Sequence, residues 1–384
     1  MIIEQTIFTM QSAEVIIAVN MIIASAIIIK QVTYVHSLKT WFFFSLAIIL
    51  NVLAFGTYSS LFVLFIVLTL MIIELDLFHL SDQITLKCYF FKILPYMLVF
   101  IMSYFIHSFL VWISKSLVGV SRNSQYFNSQ IGIKNLGISA YIKHIYDGFI
   151  NNFLTLHNKY FFWLLLLTFL ISLVLVVIRK RPNLGWQLLT IFLIFIFSLT
   201  SFLILGKITP IRVLFPSVPI VAAFFTMFIM LNIRRNVFSN ILFAAFVLVI
   251  FGQAKVTSDL CYSSELVFQD DVLLTHQLVG DLHAEGVKNI NNYQLAVIGD
   301  YHETNPQILK GDVVGYSFYE WDHEMLRNSS RRVSGLWQSL GYSVQTVSKS
   351  DYLRLLEHVK LQGDNRRIFI YDDIIVIDLN SMYR

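Results

Sequence analysis

The 384-residue chain is poor in charge. Only 14% of its residues are Asp, Glu, Lys or Arg, against 57% hydrophobic residues. Ordinary soluble domains carry about 25% charged and roughly 45–50% apolar residues, so this deficit, with a mean hydropathy of +0.68, excludes a purely soluble protein. Cysteine is nearly absent. Cys88 and Cys261 form no metal-ligand or disulfide spacing. A basic surplus is also missing: a formal charge of +4 is too small for a nucleic-acid surface. The sequence has no phosphate-cradling glycine loop, no clustered metal ligands and no nucleophile elbow. No cleavable signal precedes the first hydrophobic stretch, because the opening residues carry Glu4 and Glu14 where a basic region belongs. Internal repeats, low-complexity tracts and long linkers are absent too.

What the chain does have is long apolar runs. A bilayer core needs about 20 such residues per helix, and eight segments qualify: 13–29, 41–58, 59–75, 93–113, 160–178, 187–205, 211–231 and 237–253. The second and third form one run too long for a single span, and Gly56-Thr57-Tyr58-Ser59-Ser60 marks a tight hairpin between them. Residues 1–253 thus read as a polytopic α-helical membrane domain. Basic loops set its orientation. Arg179-Lys180-Arg181 and Arg234-Arg235, two spans apart, belong in the cytoplasm, as do Lys30, Lys39, Lys87 and Lys92. The span 237–253 then exports everything after it. Loop 114–159 lies on the exported side despite its scattered lysines. Within it, Ile142, Ile145, Phe149 and Phe153 are spaced for an amphipathic helix at the interface. With eight spans the N-terminus also falls outside, which predicts a further helix and loop upstream of Met1.

From residue 254 the composition becomes globular. Helical periodicity through Leu266, Leu273, Leu274, Leu278 and Leu282 predicts a helix over 265–285. Leu295 to Gly299 reads as a buried strand, Arg331 to Leu340 as a helix ended by Gly341, and Tyr342 to Val347 as a strand. Asp351 to Leu361 reads as a helix. Arg367 to Tyr371 and Ile374 to Leu379 pair as a hairpin around Asp372-Asp373. Residues 254–384 are therefore expected to form a small extracytoplasmic α/β domain.

Two strings carry chemistry. In Gly206-Lys207-Ile208-Thr209-Pro210-Ile211-Arg212, Lys207 and Arg212 sit at the outer mouth of the membrane region. A guanidinium there suits a phosphate through paired hydrogen bonds; the competing reading is two snorkelling anchors. In Tyr316-Ser317-Phe318-Tyr319-Glu320-Trp321-Asp322-His323, followed by Arg327, rings alternate with acids as on a sugar-binding face, or else the rings fill the domain core. Asp270-Asp271 reads either as an acidic pair in a site or, more simply, as the polar first turn of its helix. Glu14, at a membrane edge, and Asp147, on the interfacial helix, are candidate general bases, each also readable as a solvated residue. His107, within a span, more simply caps a neighbouring backbone group.

Taken in order, the hairpin Leu53 to Ser60, the Arg212 string, Phe268-Gln269-Asp270-Asp271 and Gly315 to Asp322 with Arg327 resemble the GtrII family of serotype-converting O-antigen glucosyltransferases, across roughly residues 10–380. The resemblance implies a GT-C-type enzyme of the bacterial inner membrane, needing no cofactor. Its donor is polyprenyl-phosphate-glucose, its acceptor the lipid-linked O-antigen of lipopolysaccharide, and its partners a flippase and a carrier-glucosylating enzyme. It implies carrier-phosphate binding by Arg212 and Lys207, with Tyr58 beside the same mouth and Trp321, Asp322 and Arg327 toward the acceptor or cavity. Such enzymes place a catalytic acid in the first external loop, which this reading puts upstream of Met1, so the product is expected to be truncated and its activity in question. A transporter or flippase, an O-antigen polymerase and a structural membrane protein are the competing classes. A transporter predicts paired repeats and ionisable groups at mid-membrane, neither evident in the sequence.

Overall fold

The computed structural model describes residues 9–32, 38–58, 60–118, 137–154, 159–180, 182–200, 214, 217–233, 237–299, 301, 305–311, 314–320, 328–362 and 367–380. The chain divides into two compact units, Met1–Thr257 and Ser258–Arg384.

The first unit is helical. Its elements are α1 (Thr9–Val32), α2 (Leu38–Thr57), α3 (Leu61–His79), α4 (Leu86–Val118), α5 (Ile138–Leu154), α6 (Lys159–Arg179), α7 (Leu184–Ser198), α8 (Val218–Asn232) and the start of α9 (Val237–Ala284). Six of these, α1 to α4, α6 and α9, are long and apolar enough to cross a membrane, while α7 and α8 are shorter apolar helices at the places of the other two expected spans. The protein is thus a polytopic helical membrane protein. The expected hairpin is there. Helix α2 stops at Thr57, α3 starts at Leu61, and the Leu61 amide returns to the Tyr58 carbonyl at 3.1 Å.

Several mid-helix hydroxyls in this unit are absorbed by the backbone or by a neighbouring helix. Thr69, Thr168 and Thr226 donate to carbonyls one turn back, and Ser25 donates across to Ala47 on α2. Such bonds hold polar atoms where no water competes. The turn after α3 is stapled to α7: Asn183 accepts from the Ile84 amide and donates to the Asp82 carbonyl, both at 2.9 Å, and the Trp186 indole donates to the Ile84 carbonyl. Lys30 and Asp76 pair at 3.1 Å between α1 and α3.

Three expectations needed revision. Helix α4 runs well beyond 93–113 at both ends, carrying Pro95 inside it. The predicted break between a span ending at 253 and a helix starting at 265 does not exist. Residues 254–264 contain neither proline nor glycine to stop a helix, and α9 continues unbroken for 48 residues. Asp270-Asp271 therefore lies deep inside a helix and not in a first turn. The amphipathic segment does form a helix, α5, packed on α6. It turns Phe149 toward the bundle core and leaves Ile138, Ile142 and Tyr146 exposed.

The second unit is a three-layer α/β arrangement. After the last turns of α9 come β1 (Gln294–Ile298), α10 (Asn328–Ser339), β2 (Gln345–Thr346), α11 (Lys349–Gln362), β3 (Ile368–Tyr371) and β4 (Ile374–Asp378). The sheet order is β2-β1-β4-β3, with β1 parallel to both neighbours and β3–β4 an antiparallel hairpin. Strand alternation builds both cores. Leu295, Val297, Ile375 and Ile377 point to one face, packed by Leu278 and Leu282 of α9 and Trp337 of α10. Ala296, Ile298, Ile374 and Val376 point to the other, packed by Tyr352 and Leu355 of α11. Burial on both faces is why β1 and β4 read as continuous apolar runs. Gly341 ends α10 at φ +96°, and the hairpin turn places Asp372 at φ +52°.

Candidate functional site

In the membrane unit, α2 and α4 diverge next to the hairpin and leave a cleft of about 530 Å³. Leu53, Leu110 and Val111 give it apolar walls, while His107, Ser114 and Lys115 supply its polar lining. Gly56 forms part of the floor, and a Cβ there would stand 3.8 Å from the His107 ring. Phe62, one helix over, meets that ring edge-on with centroids 6.1 Å apart. Tyr58 lies two residues beyond Gly56 and packs with Phe55, Leu61 and Phe100 in the core beneath the hairpin. A cleft that is apolar along its length and cationic at one end fits an amphipathic anion.

The sequence candidates separate sharply. His107 lines the cleft, and Tyr58 sits in the turn beside it. Glu14 and Asp147 are exposed and do not line it. Lys207, Arg212, Trp321, Asp322 and Arg327 lie outside the described residues. Sequence reasoning passed over Ser114 and Lys115, whose only signal was their spacing: seven and eight residues after His107, two helical turns on, they share its side of α4.

In the second unit, the acid-and-aromatic string is structural as far as it is described. Tyr319 is fully buried in the main core. Its hydroxyl accepts from the Trp337 indole at 3.0 Å and meets the Thr275 hydroxyl at 2.8 Å. Thr275 in turn donates to the Asp271 carbonyl, so the chain of donors runs from Trp337 through Tyr319 and Thr275 to the α9 backbone. Asp271 is 1% exposed. Its carboxylate accepts from the Ser317 hydroxyl and, at 2.7 Å, from the Phe318 amide. Glu320 pairs with Lys310 at 2.6 Å, and Lys310 also lies over the Tyr316 ring. The described rings and acids thus fasten the 314–320 segment to α9 and α10. Asp271 could have been found from its place on the buried stripe of Val267, Leu274, Leu278 and Leu282, where an acid needs partners.

Burial pushes the Tyr319 phenol well above its ordinary value, outweighing its two hydrogen bonds. The folded protein therefore keeps a proton that the unfolded chain releases once pH exceeds about 10. Stability from this group is complete below that pH and falls as pH rises through the alkaline range above it. Tyr319→Phe should remove this alkaline sensitivity and, by leaving the Trp337 indole unpaired, cost about 1–3 kcal/mol at neutral pH. Denaturant unfolding at neutral and alkaline pH, on wild type and variant, checks both effects.

A bundle of apolar helices long enough to cross a membrane, with a mostly apolar cleft that carries one lysine, defines a polytopic membrane protein. The family comparison makes this specific: the model for glucosyl transferase GtrII matches residues 1–230, and the chain belongs to that family of glucosyltransferases. The match ends within α8, so the strings beyond residue 230 that supported the resemblance fall outside it. No curated protein and no solved structure matches the chain.

Proposed function

We propose that the protein transfers glucose from a polyprenyl-phosphate carrier to the O-antigen of lipopolysaccharide, working at the periplasmic face of the bacterial inner membrane. The observation that carries this reading is the family match over a membrane bundle whose cleft joins apolar walls to Lys115 and His107. The isoprenoid chain would lie along Leu53, Leu110 and Val111, and the phosphate would meet the cationic end. Lys207 and Arg212 are the further phosphate ligands expected from the sequence. In the transfer step a carboxylate takes the acceptor hydroxyl proton. The acceptor oxygen bonds to the glucose anomeric carbon from the face opposite the phosphate, and the C–O bond to phosphate breaks with its electron pair leaving on the carrier. Glu14 and Asp147, the candidates offered by the sequence, are exposed and do not line the cleft, so neither is assigned as the base. The second unit would take up the acceptor glycan through Trp321, Asp322 and Arg327.

The full-length protein in proteoliposomes, given labelled polyprenyl-phosphate-glucose and lipid-linked O-antigen, should move label to the glycan. UDP-glucose without carrier should give none. Transfer from the nucleotide sugar alone would overturn the proposal, and passage of labelled carrier between leaflets without glycan labelling would favour a flippase. Lys115→Ala should raise the apparent KM for carrier about tenfold, the loss of one charge-assisted hydrogen bond, with Lys115→Arg restoring most of it. An alkaline phosphatase fusion after Asn380 should be active, as a periplasmic C-terminus requires.

A further inference from the structure

The membrane unit holds a carboxyl group with no described partner, far from the cleft. Glu74 lies near the end of α3 away from the hairpin and is 0% exposed. Neither of its carboxyl oxygens has a hydrogen-bond partner. Helix α3 packs against α7, and α7 carries Gln187, also 0% exposed and with both amide atoms unpartnered. The two helices meet at this level, because Ile73 and Leu77, flanking Glu74, share one cluster with Tyr89 and with Trp186, the neighbour of Gln187. Four buried polar atoms thus stand without partners in one layer of the bundle, where each orphan costs about 1–3 kcal/mol and more if charged.

The charges nearby offer no counter-ion. Lys30, on α1, is paired with Asp76. Tyr89, the titratable group α4 presents to this cluster, is bonded to Thr190 at 2.9 Å. Thr190 donates to the Trp186 carbonyl, so the Tyr89 hydroxyl donates to Thr190 and has no proton to offer Glu74. The faces of α7 and α8 buried here bring no ionisable side chain. A metal ion is poorly served: one carboxyl and one amide oxygen fall short of the six or more oxygens a hard cation gathers. A proton suffices. A neutral carboxylic acid and a primary amide are complementary, the acid O–H donating to the amide oxygen and an amide N–H donating to the acid carbonyl. One added proton, with the two side chains turned to face each other, gives all four atoms a partner.

We propose that Glu74 and Gln187 form a buried carboxylic acid–amide pair, an intramembrane proton-binding site joining α3 to α7. The site is independent of the glucosyl-transfer reading. It makes this helix contact sensitive to the proton it holds, since an ionised Glu74 would have to draw water or a cation into the layer.

The test uses full-length protein in nanodiscs at neutral pH. Infrared difference spectra should show a neutral carboxyl C=O band in wild type that vanishes in Glu74→Gln and shifts in Gln187→Leu. Glu74→Gln, which keeps a neutral group of the same shape, should melt within about 2 °C of wild type, as should the exchanged variant Glu74→Gln/Gln187→Glu, whereas Gln187→Leu alone melts lower. Absence of the band, or its indifference to Gln187→Leu, overturns the pair. So does a Glu74→Gln variant that fails to fold. A wild-type melting temperature raised by sodium or potassium over choline, with the rise lost in Glu74→Gln, would replace the proton by a bound cation.

Discussion

Arg212→Ala is expected to lower glucosyl transfer by at least about 100-fold while expression and membrane insertion stay normal. A guanidinium can give two parallel hydrogen bonds to one phosphate, each charge-assisted and worth about 1.5–3 kcal/mol; losing both near the membrane, where water competes poorly, accounts for two decades or more. Arg212→Lys should recover only part of the rate, since an ammonium offers a point charge without the fork. Initial rates with polyprenyl-phosphate-glucose, for variants matched by immunoblot, make the measurement. If Arg212 were only a snorkelling anchor, lysine would serve equally well and alanine would lower yield before rate. Wild-type turnover in Arg212→Ala would remove this residue from the site.

Asp271→Ala should cost the second unit about 3–5 kcal/mol. The carboxylate is buried and receives the Ser317 hydroxyl and the Phe318 amide, while Ser317 also takes the Tyr319 amide at 3.0 Å. Truncation leaves two donors inside the protein with nothing to accept them, and removing one member of a buried charged network falls in this range. Since a domain's whole stability is only about 5–15 kcal/mol, the variant should be partly unfolded at growth temperature. Asp271→Asn keeps the shape and one acceptor and should lose roughly half as much. Denaturant unfolding followed through Trp337, which is buried against Tyr319, measures the loss. An Asp271→Ala protein as stable as wild type would mean that water replaces the carboxylate at this joint.

How much of this was legible beforehand depends on which physical signal each residue carries. Spans announce themselves by composition, and the hairpin by a cluster of small and polar residues in a run too long for one crossing. The second unit's strands showed because β1 and β4 are buried on both faces and so read as unbroken apolar stretches. Helix ends were harder. Where no glycine or proline intervenes, as over 254–264, nothing local tells a reader whether one helix stops and another begins. Partnership was hardest of all. That Tyr319 bonds Thr275 across 44 residues, or that Glu74 shares a layer with Gln187, depends on packing that no periodicity reports. Glu74 drew no notice in the sequence, yet burial makes it the most unusual carboxyl described in the membrane unit. Lys115 read as one of several lysines scattered along a loop, and only the extension of α4 past 113 turned it toward His107.

That same helix has one rung missing. Pro95 has no amide hydrogen to give the Phe91 carbonyl, so α4, about 50 Å long against a hydrocarbon layer of about 30 Å, is divided into two arms of different freedom. The shorter arm is moored, with Tyr89 stacked on Trp186 at 4.5 Å and bonded to Thr190. The longer arm, bearing His107 and Lys115, is tied to α2 through Ser103 at 3.4 Å and is otherwise largely exposed beyond that point. With that hydrogen bond gone the helix resists bending less at Pro95 than elsewhere, so the arm that lines the cleft has a softer joint behind it than an unbroken helix would give.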